Sequence, residues 1–231
     1  MLENRLAVVR LRILRACEAA GRDPASVGLL AVSKLQPAQA VRQAWQAGQP
    51  AFGENYVQEA LDKMAELADL RGATEWHLIG PLQSNKTRAV AEAFDWVHSV
   101  DRLKIAQRLS DQRPAQLPPL NVCLQVNISG EASKSGLPPH ELAQVATAVA
   151  TLPRLRLRGL MSIPEPAQGL QAQQAPHRAL RLLLQDLNQR GLALDTLSMG
   201  MSDDLEAAVA EGSTMVRVGT ALFGARPPGA A

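Results

Sequence analysis

The sequence predicts an α/β fold: a single (β/α)8 barrel of the TIM type with an extra helix at its N-terminus. Three observations carry this. Short apolar runs alternate with amphipathic, helix-like stretches, which implies parallel strands joined by helical crossovers. Eight such runs can be counted, the number that closes a barrel, and 231 residues fall within the range of such domains. No Pro/Gly/Ser-rich linker divides the chain, so residues 1–231 are expected to form one domain. A doubly wound open sheet is the alternative arrangement of the same elements.

The elements run in order. MLENRLAVVRLRILRACEAAG reads as an amphipathic helix over 2–20. Arg5, Arg10, Arg12 and Arg15 break up its apolar residues, so it is not a signal peptide. VGLLAVSK (27–34) is the first strand, followed by a helix over 37–47 that opens at Pro37 and stops at Gly48. AFGEN (51–55) precedes a helix over 56–70, and EWHLIG (75–80) precedes one over 84–93. DWVHSV (95–100) leads through Asp101 into 101–111, and LNVCLQVNI (120–128) leads into 139–151. After RLRGLMSI (156–163), the stretch PEPAQGLQAQQAP (164–176) reads as a mobile, solvated loop before a helix over 175–190. TLSMGM (196–201) leads into 203–211, where Asp203 stands three before Glu206. TMVRVGTALFG (214–224) is the eighth strand, with no helix after it.

Composition narrows the function classes. The net charge is +2 with both signs interspersed and no basic–aromatic stripe, so nucleic acid is not an expected partner. No apolar run is long enough to span a bilayer, so no membrane is expected either. Cys17 and Cys123 lie far apart without a CxxC partner, which supports neither a disulfide framework nor a zinc finger. A reducing cytoplasm is the simplest setting. His77, His98, His140 and His177 show no HxH or HExxH spacing, so no metal site is expected. Asp203–Asp204 and Glu54 with Glu59 read as helix-terminus or solvated charges.

Chemistry in such barrels sits at the C-terminal ends of the strands. That rule gathers Lys34, Glu54, Asn55, Gly80, Asn127, Met161, Ser162, Gly200, Met201, Ser202, Arg217, Gly219 and Thr220 into one mouth. Lys34 closes an apolar run, where desolvation lowers a lysine pKa and favours attack on a carbonyl. Alone, it fits a snorkelling strand-end lysine better. SMGMSDD (198–204) and VRVGTALFG (216–224) offer backbone N–H groups and hydroxyls to an anion, at the position where barrels often bind phosphate. Each also fits ordinary turn and cap chemistry, and Asp203 and Asp204 oppose an anion unless their carboxylates point away. Together the features imply a ligand with both a phosphate and a carbonyl. Pyridoxal 5′-phosphate fits, and so does a phosphorylated aldehyde or ketone sugar.

AVSK, FGENYVQEA (52–60), WHLIGPLQSNK (76–86), VNISGEASKSG (126–136), GLMSI (159–163) and LSMGMSDDLEAAVAEGSTMVRVGTALFG (197–224) succeed one another in a recognisable order. In these motifs the chain resembles the pyridoxal phosphate homeostasis proteins of the YggS/PROSC family, over nearly its whole length. The resemblance implies the barrel of alanine racemase and other fold type III proteins, standing without the C-terminal β domain. It implies that Lys34 is the Schiff-base lysine for pyridoxal phosphate. Ser202, Gly219 and Thr220 match the phosphate-binding positions, with backbone help from Gly200 and Met201. Arg217 matches an arginine of the cofactor site that could meet either the pyridine nitrogen or the phosphate, and Asn55 would lie beside the ring. Two features depart from the family pattern, the 164–176 stretch and His177, where an aromatic residue is expected. Both are expected to lie outside the pocket.

The family role implied is a binding and homeostasis protein that holds pyridoxal phosphate and delivers it to apoenzymes, without robust turnover. A low-activity amino-acid racemase and a Schiff-base aldolase are the alternatives. A racemase needs proton donors on both faces of the cofactor, and the one tyrosine, Tyr56, reads as a first-turn helix residue. An arginine against the pyridine nitrogen would keep it unprotonated and weaken carbanion chemistry. Lys86 and Lys134, in loops after the third and fifth strands, are candidate transfer amines, with solvated loop lysines the plainer reading. The lack of a second domain to cover a partner's mouth favours a monomer.

Overall fold

The computed structural model describes residues 1–130 and 135–224. Eight parallel strands close into a barrel in sequence order. They are β1 (Gly28–Val32), β2 (Ala51–Glu54), β3 (Glu75–Leu78), β4 (Trp96–Val100), β5 (Leu120–Gln125), β6 (Leu155–Met161), β7 (Thr196–Ser198) and β8 (Met215–Val218). The barrel shuts where Leu29, Leu30 and Ala31 of β1 lie in register with Val216, Arg217 and Val218 of β8. The helices are α1 (Leu2–Ala19), α2 (Ala38–Gln46), α3 (Val57–Glu66), α4 (Thr87–Ala93), α5 (Leu103–Gln112), α6 (Pro139–Ala150), α7 (Leu170–Gln189), α8 (Leu205–Ala210) and α9 (Thr220–Phe223).

Helix α1 buries Leu6, Val9, Ile13, Ala16 and Cys17, a stripe at helical spacing, and packs on α8 and α9. Its arginines fasten it to the segments after β7 and β8. Arg5 donates to Phe223 O, and Arg12 donates to Ser202 O and to the Glu206 carboxylate.

Two elements differ from the sequence expectation. Residues 170–174 are helical, so α7 begins at Leu170 and takes Pro176 into its interior. The Gln, Ala and Leu that gave the stretch a low-complexity look are strong helix formers, and they outweigh the one proline. The eighth run splits at Gly219 into the short strand β8 and the one-turn helix α9, so a helix does come after the last strand.

Side chains alternate across the strands. Outward residues such as Ala31, Phe52, Trp76, Leu78, Val97, Leu160, Leu197, Val216 and Val218 join one continuous apolar core with the helices. Fully burying a side chain of this size contributes about 1.5–3 kcal/mol. The barrel interior holds a small separate cluster, Trp96, Cys123 and Met161, with a polar chain of His77, His98, Ser198 and Arg217 beside it. Cys17 and Cys123 are both free and buried, and burial pushes the Cys123 thiol up to about 12.

Candidate functional site

A cavity of about 370 Å³ opens at the C-terminal ends of the strands. Seven residues expected from the sequence line it: Lys34, Asn55, Met201, Ser202, Arg217, Gly219 and Thr220. Val32, Ile79 and Ile163 supply apolar wall, and Asp203 completes the lining. Gly200 lies behind this wall, where its carbonyl accepts from the Arg217 backbone N–H. It sits at φ +93°, and a Cβ there would lie 2.5 Å from Ala208 Cβ, so the loop can turn only with glycine.

Lys34 is half-buried and stands two residues beyond β1, in a turn rather than within the strand. The next residue, Leu35, adopts φ +61°, a left-handed conformation that costs a leucine roughly 1–2 kcal/mol. A brace holds it there. The Leu35 N–H donates to Glu59 Oε1 at 2.6 Å. Lys63 Nζ meets Glu59 Oε1 at 2.6 Å, Glu54 Oε1 at 2.8 Å and Ser33 O at 2.6 Å, and Ser33 Oγ donates to Glu54 Oε1 at 2.7 Å. Burial pushes the Glu54 carboxyl above its ordinary value, with Lys63 pulling the other way. The expectation of helix-terminus or solvated charges fails for Glu54, which is fully buried at the end of β2 and shares a counter-ion with Glu59, while Glu59 does lie in the first turn of α3. The i,i+4 spacing of Glu59 and Lys63 on α3 signals only their mutual pair; Glu54 and Ser33 reach Lys63 from other elements.

Asn55 comes directly after β2, and its buried Oδ1 has no hydrogen-bond partner among the described residues. Gly80 permits the close approach behind it, since a Cβ there would fall 2.2 Å from Asn55 O. The Arg217 guanidinium is held by Ser198 O at 2.5 Å, Ser198 Oγ at 2.8 Å and Ser162 O at 2.8 Å. All three acceptors are neutral. Burial therefore lowers the Arg217 pKa to about 10, opposed by Asp204 and Cys123, which leaves it a cation and an obligate donor at neutral pH.

The loop between β7 and α8 has its own lock. Asp204 Oδ1 accepts the Met201 N–H at 2.6 Å, and His177 Nε2 meets Asp204 Oδ2 at 2.9 Å. Burial raises the Asp204 carboxyl, but the His177 and Met201 hydrogen bonds outweigh it and hold the group below its ordinary value. The Asp204 carboxylate is thus turned inward onto its own loop. The Met201 amide expected to face the ligand is spent on Asp204, so Met201 reaches the cavity without it. Ser202 precedes α8 by three residues, because that helix starts at Leu205 and not at 203. His177 lies outside the cavity lining as expected, yet through Asp204 it shapes the cavity wall.

Tyr56 is exposed and absent from the lining. Lys86 is exposed at the start of α4, also away from the cavity, and Lys134 lies outside the described residues. The ionisable side chains among the lining are Lys34, Asp203 and Arg217. Among the described residues no three His, Cys, Asp or Glu side chains gather as a metal would require. No helix among them is long and apolar enough to cross a membrane.

Fold and site together define a (β/α)8 barrel whose mouth carries a lysine after β1 beside a hydroxyl- and glycine-lined cradle after β7 and β8. The sequence profile described as "Alanine racemase, N-terminal domain" matches residues 13–227. The chain is 68% identical over 229 residues to the pyridoxal phosphate homeostasis protein of Pseudomonas aeruginosa, covering 99% of this chain and 97% of the relative. It is 57% identical over 227 residues to the protein of that name from Escherichia coli K12, covering 97% of each. Among solved structures it is similar to PipY of Synechococcus elongatus PCC7942 with PLP bound, at 42% identity and a TM-score of 0.85 over 97% of this chain and 100% of that one. Alanine racemase from Clostridium difficile, 13% identical with a TM-score of 0.73, covers 96% of this chain and 58% of its own and shares the fold. The chain belongs to the pyridoxal phosphate homeostasis proteins, within the alanine racemase N-terminal domain family.

Proposed function

We propose that the protein binds pyridoxal 5′-phosphate at this mouth and serves as a carrier in vitamin B6 and amino-acid homeostasis. The observation that carries the reading is the convergence of Lys34, Asn55, Ser202, Arg217, Gly219 and Thr220 on one cavity. The residues fit the group: a lysine amine for the aldehyde, hydroxyl and glycine backbone for the phosphate, and an orphaned Asn55 Oδ1 beside them. The names of the relatives and the PLP-bound PipY structure support it.

When bound, pyridoxal phosphate supplies an aldehyde and an electron-withdrawing ring. Lys34 holds it covalently as a Schiff base, and the strained turn at Leu35 with its Lys63 brace fixes where the amine stands. Ser202, Gly219 and Thr220 hold the phosphate, with the first N–H groups of α9 adding donors. Gly200 turns the loop behind Met201, and Asn55 lies against the ring. Arg217 is assigned to the ring nitrogen, its guanidinium being anchored on Ser198 O of β7 and on Ser162 O just after β6. An obligate donor there requires an unprotonated nitrogen, which weakens the electron sink. With Tyr56 exposed away from the cavity, the lining offers no tyrosine as a second base. Both points favour holding over turnover. The protein acts as a monomer in the cytoplasm and passes its cargo to pyridoxal-phosphate-requiring apoenzymes.

Visible absorption and α-proton exchange test the reading. Adding pyridoxal phosphate is expected to produce a chromophore that Lys34→Ala lacks. With D- and L-amino acids in deuterated water, negligible α-proton exchange is expected. Sustained exchange dependent on Lys34 would make the protein a racemase-type enzyme, and a colourless protein would remove the carrier.

A further inference from the structure

A second cavity, of about 460 Å³, opens at the opposite mouth of the barrel. That volume is in the range of small-molecule sites. Its wall is built from Arg10 and Leu14 of α1 together with Leu30, Glu75, His77 and Trp96 at the N-terminal halves of β1, β3 and β4. Most of its polar groups are already engaged. Arg10 donates to Gly48 O at 2.6 Å, and the Trp96 indole N–H donates to Glu75 Oε1. His77 is the exception: it is buried, and its Nε2 has no hydrogen-bond partner among the described residues. Glu75 Oε1 stands 3.7 Å from it, beyond a good hydrogen bond.

This nitrogen ends a chain that begins at the other mouth. Arg217 Nη1 donates to Ser198 Oγ at 2.8 Å, Ser198 Oγ meets His98 Nδ1 at 2.8 Å, and His98 Nε2 meets His77 Nδ1 at 2.9 Å. The proton order is dictated by the ends. A guanidinium only donates, so Ser198 Oγ accepts from Arg217, and its own hydrogen is free to go to His98 Nδ1. His98 then carries its proton on Nε2 and donates to His77 Nδ1, which leaves the His77 proton on Nε2. The Glu75 carboxylate selects the same tautomer, because it attracts an N–H and repels a lone pair. Burial, with His77 and Arg217 adding to it, holds the His98 pKa well below its ordinary value, so His98 carries one proton as the order requires. Every donor points from the Lys34 mouth toward the second cavity, and the last one is unspent.

We propose that this cavity is a second ligand site for a small uncharged carboxamide, and that its occupancy is felt at Arg217 through Ser198, His98 and His77. The carbonyl accepts from His77 Nε2–H, the amide N–H donates to Glu75, and an apolar body lies against Leu14 and Leu30. A carboxylate ligand would set its charge against the Glu75 carboxylate beside His77, and an ammonium would leave the His77 donor unanswered. The two cavities share no lining residue, so the coupling runs through this chain alone.

Benzamide titrated into the full-length protein, followed by ¹⁵N NMR of the histidine rings and the Arg217 Nε, tests this. The expected result is a saturable shift of His77 and His98, with Arg217 moving in parallel. Leu14→Trp, at the half-exposed rim, should weaken binding by roughly tenfold or more, as should His77→Phe, which keeps the ring and removes the donor. Ser198→Ala should leave the His77 shift intact and abolish the Arg217 shift. Benzoate and benzylamine should bind at least roughly tenfold more weakly than benzamide. No saturable His77 shift, or one unchanged in Leu14→Trp, overturns the site. Equal binding of benzoate or benzylamine overturns the ligand class. An Arg217 resonance that stays still while His77 saturates overturns the coupling.

Discussion

Along β8, Val216 and Val218 pack against the helices while Arg217 between them reaches the barrel interior; along β3, Trp76 and Leu78 pack outward while His77 points in. The same strands thus carry two chemistries with a period of two. The outer layer is aliphatic and aromatic burial, non-directional and tolerant of exchange by volume. The inner layer is a directional hydrogen-bonded chain around a buried cation, which costs desolvation and fixes orientation. Stability and specificity thus reside in different layers. The outer layer holds the barrel closed, while the inner chain, with the Lys63 brace at the rim, sets the positions of the groups at the mouth.

Four substitutions probe this division, in order of decreasing effect. Lys63→Met leaves Glu54 buried without its counter-ion and is expected to cost about 3–5 kcal/mol in denaturant unfolding. The deficit should shrink at acid pH as Glu54, already raised by burial, takes up a proton. A loss under about 1 kcal/mol would mean the brace is not a coupled buried cluster. Leu160→Ala, in the outer layer, should cost about 2–5 kcal/mol and leave the pyridoxal phosphate chromophore unaltered. A changed chromophore would dissolve the boundary between the layers.

His98→Gln addresses the inner chain through pH. Folded His98 resists protonation, whereas the unfolded chain takes up a proton near pH 6.5. The wild type therefore loses stability as pH falls below that value, and none from this group above it. The stability gap between wild type and His98→Gln should be constant above pH 6.5 and narrow below it, as thermal melts across that range would reveal. A gap that widens in acid would reverse the sign. The smallest effect belongs to Glu206→Gln. It weakens the partly exposed pair with Arg12, leaves the Arg12 bond to Ser202 O, and should cost under about 1 kcal/mol.

The barrel and most of its mouth were legible in the sequence because both rest on local pattern. Eight apolar runs separated by helical periodicity impose the strand order, and the rule that chemistry sits at strand ends gathers Lys34, Asn55, Ser202 and Thr220. The features that were not legible depend on convergence from distant elements. Glu59 and Lys63 are i,i+4 neighbours on α3, but Glu54 and the Ser33–Leu35 turn join them only once β2 and α3 are packed beside the turn after β1. His77 and His98 look like isolated histidines until the barrel closes and sets them 2.9 Å apart. The start of α7 was hidden by Pro176, and α9 by the valine-rich run before Gly219. In both places one conspicuous residue type masked a weaker and correct signal.

Lys34 is proposed as the amine at the barrel mouth that holds pyridoxal phosphate. Borohydride reduction of the loaded protein, followed by proteolysis and peptide mapping, tests it most directly. One stoichiometric label is expected on the peptide containing Lys34, lost in Lys34→Ala. A primary label on Lys86, Lys134 or any other lysine would contradict it.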